Sequence, residues 1–341
     1  MGVITSLSDS VAMKQVAAKS VSYGSMRLFG TLGWGTGAFF AGVVNDERTQ
    51  KYLPIKLPLY VPGLILIFGL LIIVDIVFVV IKFNQNKSSA TDANVEINLK
   101  EVENSSEERV NKEEDKTSIS VPREILTAFS KYPSLYQYTF IATVVGILTG
   151  FHWTYFYWLL AALVGERDTI LPGLCNAVQT FCGELPFFLF AENIVNKIGC
   201  SMSLNISLLA FAVRYFCYAY LVPIVPPYFV LIVELTQGPA FGLFYSVITK
   251  IAQEYAIKAA TNDNQSKSQR TFATMQGIMG GFFEGAGVGI GGLLGGLLID
   301  NWKLSGVWLT GAILAVITVI INVFIEMIKS KRNSTNNVNE K

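Results

Sequence analysis

The stretch from Leu135 to Leu163 reads LYQYTFIATVVGILTGFHWTYFYWLLAAL and contains no aspartate, glutamate, lysine or arginine. A helix needs about 20 mostly apolar residues to cross a bilayer, so this stretch is predicted to span a membrane. Seven further windows are also long and mostly apolar, although each contains a charged residue: 24–44, 58–81, 169–190, 201–222, 227–248, 272–298 and 304–328. Residues 1–22 are less apolar, and we interpret them as the end of a ninth, incomplete span.

The composition indicates that lipid is the solvent for most of the chain. Hydrophobic residues make up 52% of the sequence and charged residues only 15%, which is too apolar for a soluble domain of this size. The predicted fold class is therefore an all-α membrane protein with about nine transmembrane helices. The net charge of +1 gives no indication of a nucleic-acid partner.

A polar segment divides the predicted spans into two groups. Residues 82–132 are poor in aromatics and rich in Ser, Asn, Glu and Lys, so we expect a disordered linker that buries no core. It separates the remnant of a first helical bundle at 1–81 from a six-helix bundle at 133–328, which a tail at 329–341 follows. A first bundle of about three helices beside one of six predicts a truncated form that lacks about three helices.

The distribution of lysine and arginine predicts the orientation in the membrane. Cytoplasmic loops carry an excess of these residues, and that excess is largest when the linker and the carboxyl tail are cytoplasmic. The cationic positions on that side are Lys14, Lys19, the 82–132 segment, Lys197, Lys250, Lys258, Lys267, Arg270, Lys329, Lys331 and Arg332. The sequence does not distinguish the plasma membrane from an endomembrane.

Several other functional classes find no support in the motifs. The four cysteines lie in apolar stretches without CxxC or Cys/His spacing, so we interpret them as small buried hydrophobes and expect no disulfide, metal site or cofactor. There is no GxxxxGK[ST] that would indicate an ATPase. Neither HExxH nor a Ser/His/Asp set suggests an enzyme.

Four segments carry a resemblance to a known family: YGSMRLFGTLGWGTGAFFAGVVND (Tyr23 to Asp46), GELPFFLFAENIVNKIG (Gly183 to Gly199), ELTQGPAFGLFYSVITKIAQEYA (Glu234 to Ala256) and TFATMQGIMGGFFEGAGVGIGGLLGGLLID (Thr271 to Asp300). Together with two bundles and a polar linker, they resemble the major facilitator superfamily. The first segment is similar to the fifth helix of the galactoside and nucleoside proton symporters. As a set, the segments look most like the domain-containing protein 6 branch.

The resemblance implies the major facilitator fold of two helical bundles, in a protein that is a secondary transporter. Its partners would be a small polar solute, protons and the lipid bilayer, and transport would proceed by alternating access. The alternative is a non-transporting membrane receptor or scaffold that keeps this fold.

Asp9, Arg27 and Trp34 form the first set of candidate residues. An intramembrane charge usually faces a partner or a watery cavity, so Asp9 and Arg27 on neighbouring helices are plausible partners. In the galactoside symporter an acidic residue and an arginine have the same separation, and a tryptophan seven residues after the arginine packs on the sugar. The alternative is an interfacial Arg27 that extends to lipid phosphate.

Arg214 and Glu234 lie well inside apolar sequence and are predicted to pair, because an unpaired buried charge is costly. The resemblance places Glu234 at a histidine of the symporter's proton-coupling cluster and Gln237 at its coupling glutamate. An amide cannot take up a proton near neutral pH, which puts coupling at Gln237 in doubt. The alternative is an ion pair that only fixes helix register.

Three further ionisable side chains are candidates for a proton or substrate role. Glu184 and Glu284 stand within apolar spans, and burial there disfavours a charged carboxylate, as a proton carrier requires. His152 lies among aromatics and can titrate near neutral pH. For each of the three, a packing or cavity-facing residue without a coupling role is the alternative.

Glycines recur every four residues in the 272–298 span and predict close helix packing. One stripe comprises Gly277, Gly281, Gly285 and Gly289, and a second comprises Gly287, Gly291 and Gly295. Such smooth faces would allow bundles to re-pack during alternating access, and static packing is the alternative.

Overall fold

The computed structural model describes residues 23–45, 129–130, 132–165, 170–259 and 265–339. Within these ranges the chain is helical apart from short turns and contains no strand, which confirms the all-α class. Five segments there are long and apolar enough to cross a membrane: Ser134–Val164, Ile170–Ile198, Cys200–Leu221, Pro227–Tyr255 and Thr274–Arg332.

We number the described helices in chain order: α1 Tyr23–Asn45, α2 Ser134–Val164, α3 Ile170–Ile198, α4 Cys200–Leu221, α5 227–259, α6 265–301 and α7 304–339. The helix at the end of the chain breaks at Trp302 (φ −129°, ψ 15°) and Lys303 (φ 60°, ψ −177°), so 272–298 and 304–328 are separate helices as predicted. The predicted spans 1–22 and 58–81 and the linker lie outside the described residues.

Glycine residues end α2 and α3. Gly165 (φ 89°) and Gly199 (φ 82°) have backbone torsions that residues with a Cβ rarely adopt. Their N–H groups donate to the carbonyls of Ala161 and Val195 at 2.9 and 2.8 Å. These bonds satisfy carbonyl groups that would otherwise be left without a partner at the helix ends.

Four of the helices contain a π-helical segment. These segments are Val178–Glu184 in α3, Cys217–Leu221 in α4, Gly238–Gly242 in α5 and Gly281–Gly287 in α6. A π-helical segment inside an α-helix is frequent at functional sites, because the inserted residue changes which side chains face a neighbouring helix.

The seam between α2 and α6 is built from glycine. A Cβ added to Gly287 would lie 2.6 Å from the Thr143 carbonyl oxygen and 2.7 Å from the Gly146 Cα, so the two backbones touch. Further along α6, the Tyr155 hydroxyl donates to the Gly292 carbonyl at 2.5 Å. The close packing predicted for the stripe that begins at Gly287 is present.

The other stripe does not make the predicted close contact with the described residues. Gly281, Gly285 and Gly289 are exposed, and a Cβ at each would have no described atom within 4 Å. Successive residues of an α-helix are separated by about 100°, so Gly287 and Gly289 lie on nearly opposite faces and only one stripe can face α2. A packing role for the exposed stripe stays a prediction.

Helix α1 packs against α3 through small residues. A Cβ on Gly35 would lie 2.5 Å from the Thr180 Cγ2, and a Cβ on Gly173 would lie 3.0 Å from the Gly42 Cα. Gly35 therefore packs on the Thr180 side chain in the π-helical segment of α3, and the backbones of Gly42 and Gly173 approach each other directly.

A polar network ties α2, α4 and α7 together. The Gln137 amide donates to the Asn322 Oδ1 at 2.5 Å, and the Asn322 amide donates to the Asn205 Oδ1 at 2.7 Å. Lys329 pairs with Glu326 at 3.0 Å and also donates to the Gln137 Oε1. Interhelical hydrogen bonds of this kind stabilise helix association in a bilayer.

Candidate functional site

The site is centred on an ion pair between two buried side chains. Arg214 on α4 donates from Nη2 to the Glu234 Oε2 on α5, and both side chains are 0% exposed. The contact predicted between them is present, and its role in transport stays a prediction. Pairing accounts for how two charges can lie within membrane-spanning segments, because a lone buried charge would be costly.

Arg214 has three further hydrogen-bond contacts. Its Nε donates to the Tyr218 hydroxyl at 2.7 Å, and its Nη1 donates to the Gln237 Oε1. Its Nη2 also lies 3.3 Å from the His152 Nε2. A guanidinium has only donors, so each of these partner atoms must be an acceptor.

The Glu234 carboxylate is as fully bonded as its partner. Its Oε1 accepts from the Tyr218 hydroxyl, and its Oε2 accepts from the Gln179 amide at 2.5 Å as well as from Arg214. Tyr218 thus accepts from the guanidinium and donates to the carboxylate. Two neutral groups and one cation hold this buried charge in place.

Gln237 extends the network to a second carboxylate. Its Oε1 accepts from Arg214, and its Nε2 donates to the Glu184 Oε1 at 2.9 Å. Gln237 is buried, whereas Glu184 is half-buried at the end of the π-helical segment of α3. A neutral amide therefore connects the buried ion pair with the more accessible glutamate.

His152 closes the site from α2. Its ring lies 4.5 Å from the Phe156 ring and stacks 6.1 Å from the Tyr218 ring. Its Nε2 is 3.5 Å from the Gln179 Nε2 in addition to its contact with Arg214. Its Nδ1 is buried and has no hydrogen-bond partner among the described residues.

Glycine and π-helical geometry explain how the site assembles. A Cβ on Gly183 would lie 3.1 Å from the Gly238 backbone nitrogen, so α3 and α5 are in contact beside the network. This approach brings the Gln237 amide within hydrogen-bond distance of Glu184. The network draws on α2, α3, α4 and α5, and three of these four helices contain a π-helical segment.

The other predicted residues lie apart from this cluster or cannot be placed. Glu284 is half-buried in the π-helical segment of α6, and Trp34 on α1 is 63% exposed. Arg27 belongs to α1, but its side chain is not described, and Asp9 lies outside the described residues. Of the four cysteines predicted to be buried, Cys175 is buried, Cys200 and Cys217 are half-buried, and Cys182 is exposed, so the prediction is wrong for Cys182.

Two members of the network, Gln179 and Tyr218, were not among the predicted site residues. Tyr218 follows Arg214 by four positions, which places both on one helix face, so helical spacing could have identified it. Gln179 is an uncharged amide in an apolar window, which is a weaker signal. Across the described residues, no group of three or more His, Cys, Asp or Glu side chains could hold a metal ion.

Comparison with known proteins matches the chain to a family profile and to individual relatives. The profile described as MFS_1 like family matches residues 1–310. Maltose permease from Geobacillus stearothermophilus is 26% identical over 160 residues, which are 47% of this chain and 37% of the permease. The match therefore spans just over a third of the permease. No solved structure matches the chain.

Proposed function

Since this chain belongs to the MFS_1 like family of the major facilitator superfamily, we propose that it is a secondary active transporter. It moves a small polar solute across a membrane by alternating access and couples this movement to protons. The observation that carries the proposal is the buried Arg214–Glu234 pair with its polar partners on four helices.

The architecture of the network fits transport better than a static role. Polar and charged side chains within membrane spans are expensive, and they commonly mark substrate or ion pathways. The network joins side chains of four helices, and π-helical segments lie within three of them. A shift of α3 or α5 would exchange these bonds without leaving the hydrocarbon core.

Glu184 is the group that we assign to proton coupling. Glu234 already accepts from three donors and is 0% exposed, whereas Glu184 is half-buried and receives the Gln237 amide. Protonation of Glu184 removes the charge that strengthens this hydrogen bond. The Gln237 amide is then free to turn away from Arg214. Protonation of Glu184 thus changes the contacts of Arg214 through Gln237, although Gln237 itself binds no proton.

Sugars are the first solute class to test. The relative named maltose permease supports this choice, and Trp34 supports it independently because its exposed ring could pack on a sugar face. Arg27 on the same helix and Glu284 on α6 are proposed to supply polar contacts to the solute.

The test is uptake into proteoliposomes that contain the chain. Radiolabelled maltose, glucose and uridine are offered with and without an inward proton gradient, and an internal dye reports pH. We expect one of these solutes to accumulate with the gradient. Glu184→Gln should abolish accumulation while solute exchange continues, and Glu192→Gln, a change at an exposed glutamate of α3, should behave as wild type.

A receptor or scaffold is the second candidate, and Gln237 is the observation that favours it. An amide stands where the resembling symporters have a titratable glutamate, so the protein could have kept the fold and lost coupling. A wild-type chain that binds one of the three solutes but moves neither solute nor protons would support this candidate and contradict transport.

A further inference from the structure

His152 is the only histidine in the chain, and its Nδ1 is buried without a hydrogen-bond partner in the part of the chain that the structure describes. The side chain is 5% exposed, and its ring lies between Phe156 and Tyr218. Buried polar atoms nearly always have a hydrogen-bond partner. The helices packed around His152 therefore leave its Nδ1 without the partner that a buried polar atom usually has.

The neighbours of the imidazole determine which nitrogen carries the proton. Arg214 can only donate, so the Nε2 that faces it at 3.3 Å must be an acceptor without a proton. The Gln179 amide, whose orientation is fixed by its bond to Glu234, also directs its NH₂ group toward Nε2. The neutral ring consequently has its proton on Nδ1.

We propose that His152 is a solute-binding residue whose Nδ1–H donates to an oxygen of the transported molecule. This inference rests on the proposed transport function. The charges of Arg214 and Glu234 beside the ring compensate each other, so the site offers a neutral donor. It suits an uncharged oxygen, such as a sugar hydroxyl, an ether or a carbonyl, better than a carboxylate or an ammonium group.

The burial of the donor explains why this contact would matter for transport. A buried N–H without an acceptor is unfavourable. A solute oxygen that bonds to it therefore stabilises the site more than an oxygen that bonds to a donor already exposed to water. Only interactions that differ between two states can shift the balance between them. The solute reaches Nδ1 when the packing around His152 opens, and its oxygen then favours closure around the loaded site.

Two substitutions separate the two nitrogens. His152→Gln places an amide oxygen near the former Nε2, so Arg214 keeps an acceptor while the Nδ1 donor is lost. His152→Asn places an amide near the former Nδ1 and is too short to reach Arg214. We expect His152→Gln to keep the thermal stability of the wild type and to raise the KM for the transported solute on the order of tenfold. His152→Asn should lower stability and retain more of the solute affinity in the protein that remains folded.

Because the chain has one histidine, ¹⁵N-labelled histidine gives a single pair of imidazole signals in a nitrogen NMR spectrum. We expect a protonated Nδ1 and an unprotonated Nε2 in the protein without solute. Maltose, glucose and uridine are then titrated, and the solute that is taken up should move the Nδ1 signal more than the Nε2 signal.

A proton on Nε2, or on both nitrogens, overturns the inference. A solute that is taken up while the Nδ1 signal and the KM of His152→Gln stay unchanged also overturns it, because the solute would then form no bond with Nδ1. In that case the proposed function stands. Absence of binding, uptake and proton movement with all three solutes overturns the proposed function and the solute contact together, whatever tautomer is found.

Discussion

The Arg214–Glu234 pair can be tested as a coupled unit. Removing one partner of a buried ion pair leaves an uncompensated charge and typically costs about 3–5 kcal/mol. We therefore expect Arg214→Gln and Glu234→Gln each to lower the thermal stability of the protein in detergent strongly. The double substitution leaves two neutral amides beside Tyr218 and should recover stability beyond the sum of the single effects.

Uptake measured on the wild type, the two single variants and the double variant assigns the role of the pair. Recovered folding without uptake would mean that the charges act in transport, whereas restored uptake would reduce them to a structural contact. Strictly additive losses of stability would contradict the coupling seen in the hydrogen bonds. Glu192→Gln serves as the control, since this glutamate is exposed.

Asn322 is the equivalent test for the polar network that joins α2, α4 and α7. The side chain is 1% exposed and bonds to Gln137 and Asn205, so Asn322→Leu leaves polar atoms on both neighbours without this partner. Interhelical hydrogen bonds in membranes contribute about 1–2 kcal/mol at most, and we expect a loss of that size in thermal unfolding. Asn301→Leu, at an exposed asparagine before the break, should change little; an equal loss there would contradict the role assigned to Asn322.

Part of the site is readable from the sequence because charges are scarce in the apolar windows. Arg214 and Glu234 had few possible partners, and their contact is present. Gln179 could not be singled out, because its role depends on which face of α3 points to Glu234. Periodicity gives that face for an α-helix, but the π-helical segment Val178–Glu184 changes the register at this point.

At the scale of elements, the glycine seam between α2 and α6 makes a prediction with an internal control. Gly287→Ala would put a methyl group 2.6 Å from the Thr143 carbonyl oxygen, where only backbone could yield. Overpacking of this kind costs about 1–3 kcal/mol, so we expect a clear fall in thermal stability. Gly289→Ala adds the same methyl group where no described atom lies within 4 Å and should leave stability unchanged or slightly raised.

The same pair of variants tests the function of the exposed glycine stripe. If Gly281, Gly285 and Gly289 face a partner helix outside the described residues during transport, Gly289→Ala should slow uptake without destabilising the protein. Equal destabilisation by both substitutions would contradict the assignment of the two stripes to opposite faces. The sequence predicted the stripes, but only the packing of α2 shows which one lies at the seam.

Helix boundaries were predictable to different degrees. Most of the described helices begin close to the predicted windows, because long apolar stretches define them, but α3, α5 and α7 continue past the predicted ends at 190, 248 and 328 into more polar sequence. The break at Trp302 and Lys303 falls between the predicted spans 272–298 and 304–328, although no proline or glycine stands there. The π-helical segments were not predicted, since they arise from packing between helices rather than from local composition.

For the whole molecule, alternating helix directions bring the cationic residues to one end of the bundle. Lys329 on α7 contacts Ser134 at the start of α2, and the Lys250 ammonium contacts Asn196 near the end of α3. The break at Trp302 and Lys303 lies one helix length away, at the opposite end of α7. Cytoplasmic loops carry the excess of lysine and arginine, so the cationic end is expected to face the cytoplasm.

This orientation can be tested with single cysteines in a Cys182→Ser background, because Cys182 is the exposed native cysteine of the described chain. Asn301→Cys and Arg332→Cys place thiols at exposed positions near opposite ends of α7. A membrane-impermeant maleimide added to intact cells should label position 301 and leave position 332 unlabelled until the membrane is opened. Labelling only of position 332 in intact cells would reverse the orientation, and labelling of both would contradict a membrane-spanning α7. An orientation opposite to the expected one would place the linker at 82–132 outside the cytoplasm as well, because six helices, α2 to α7, lie between the linker and the carboxyl tail.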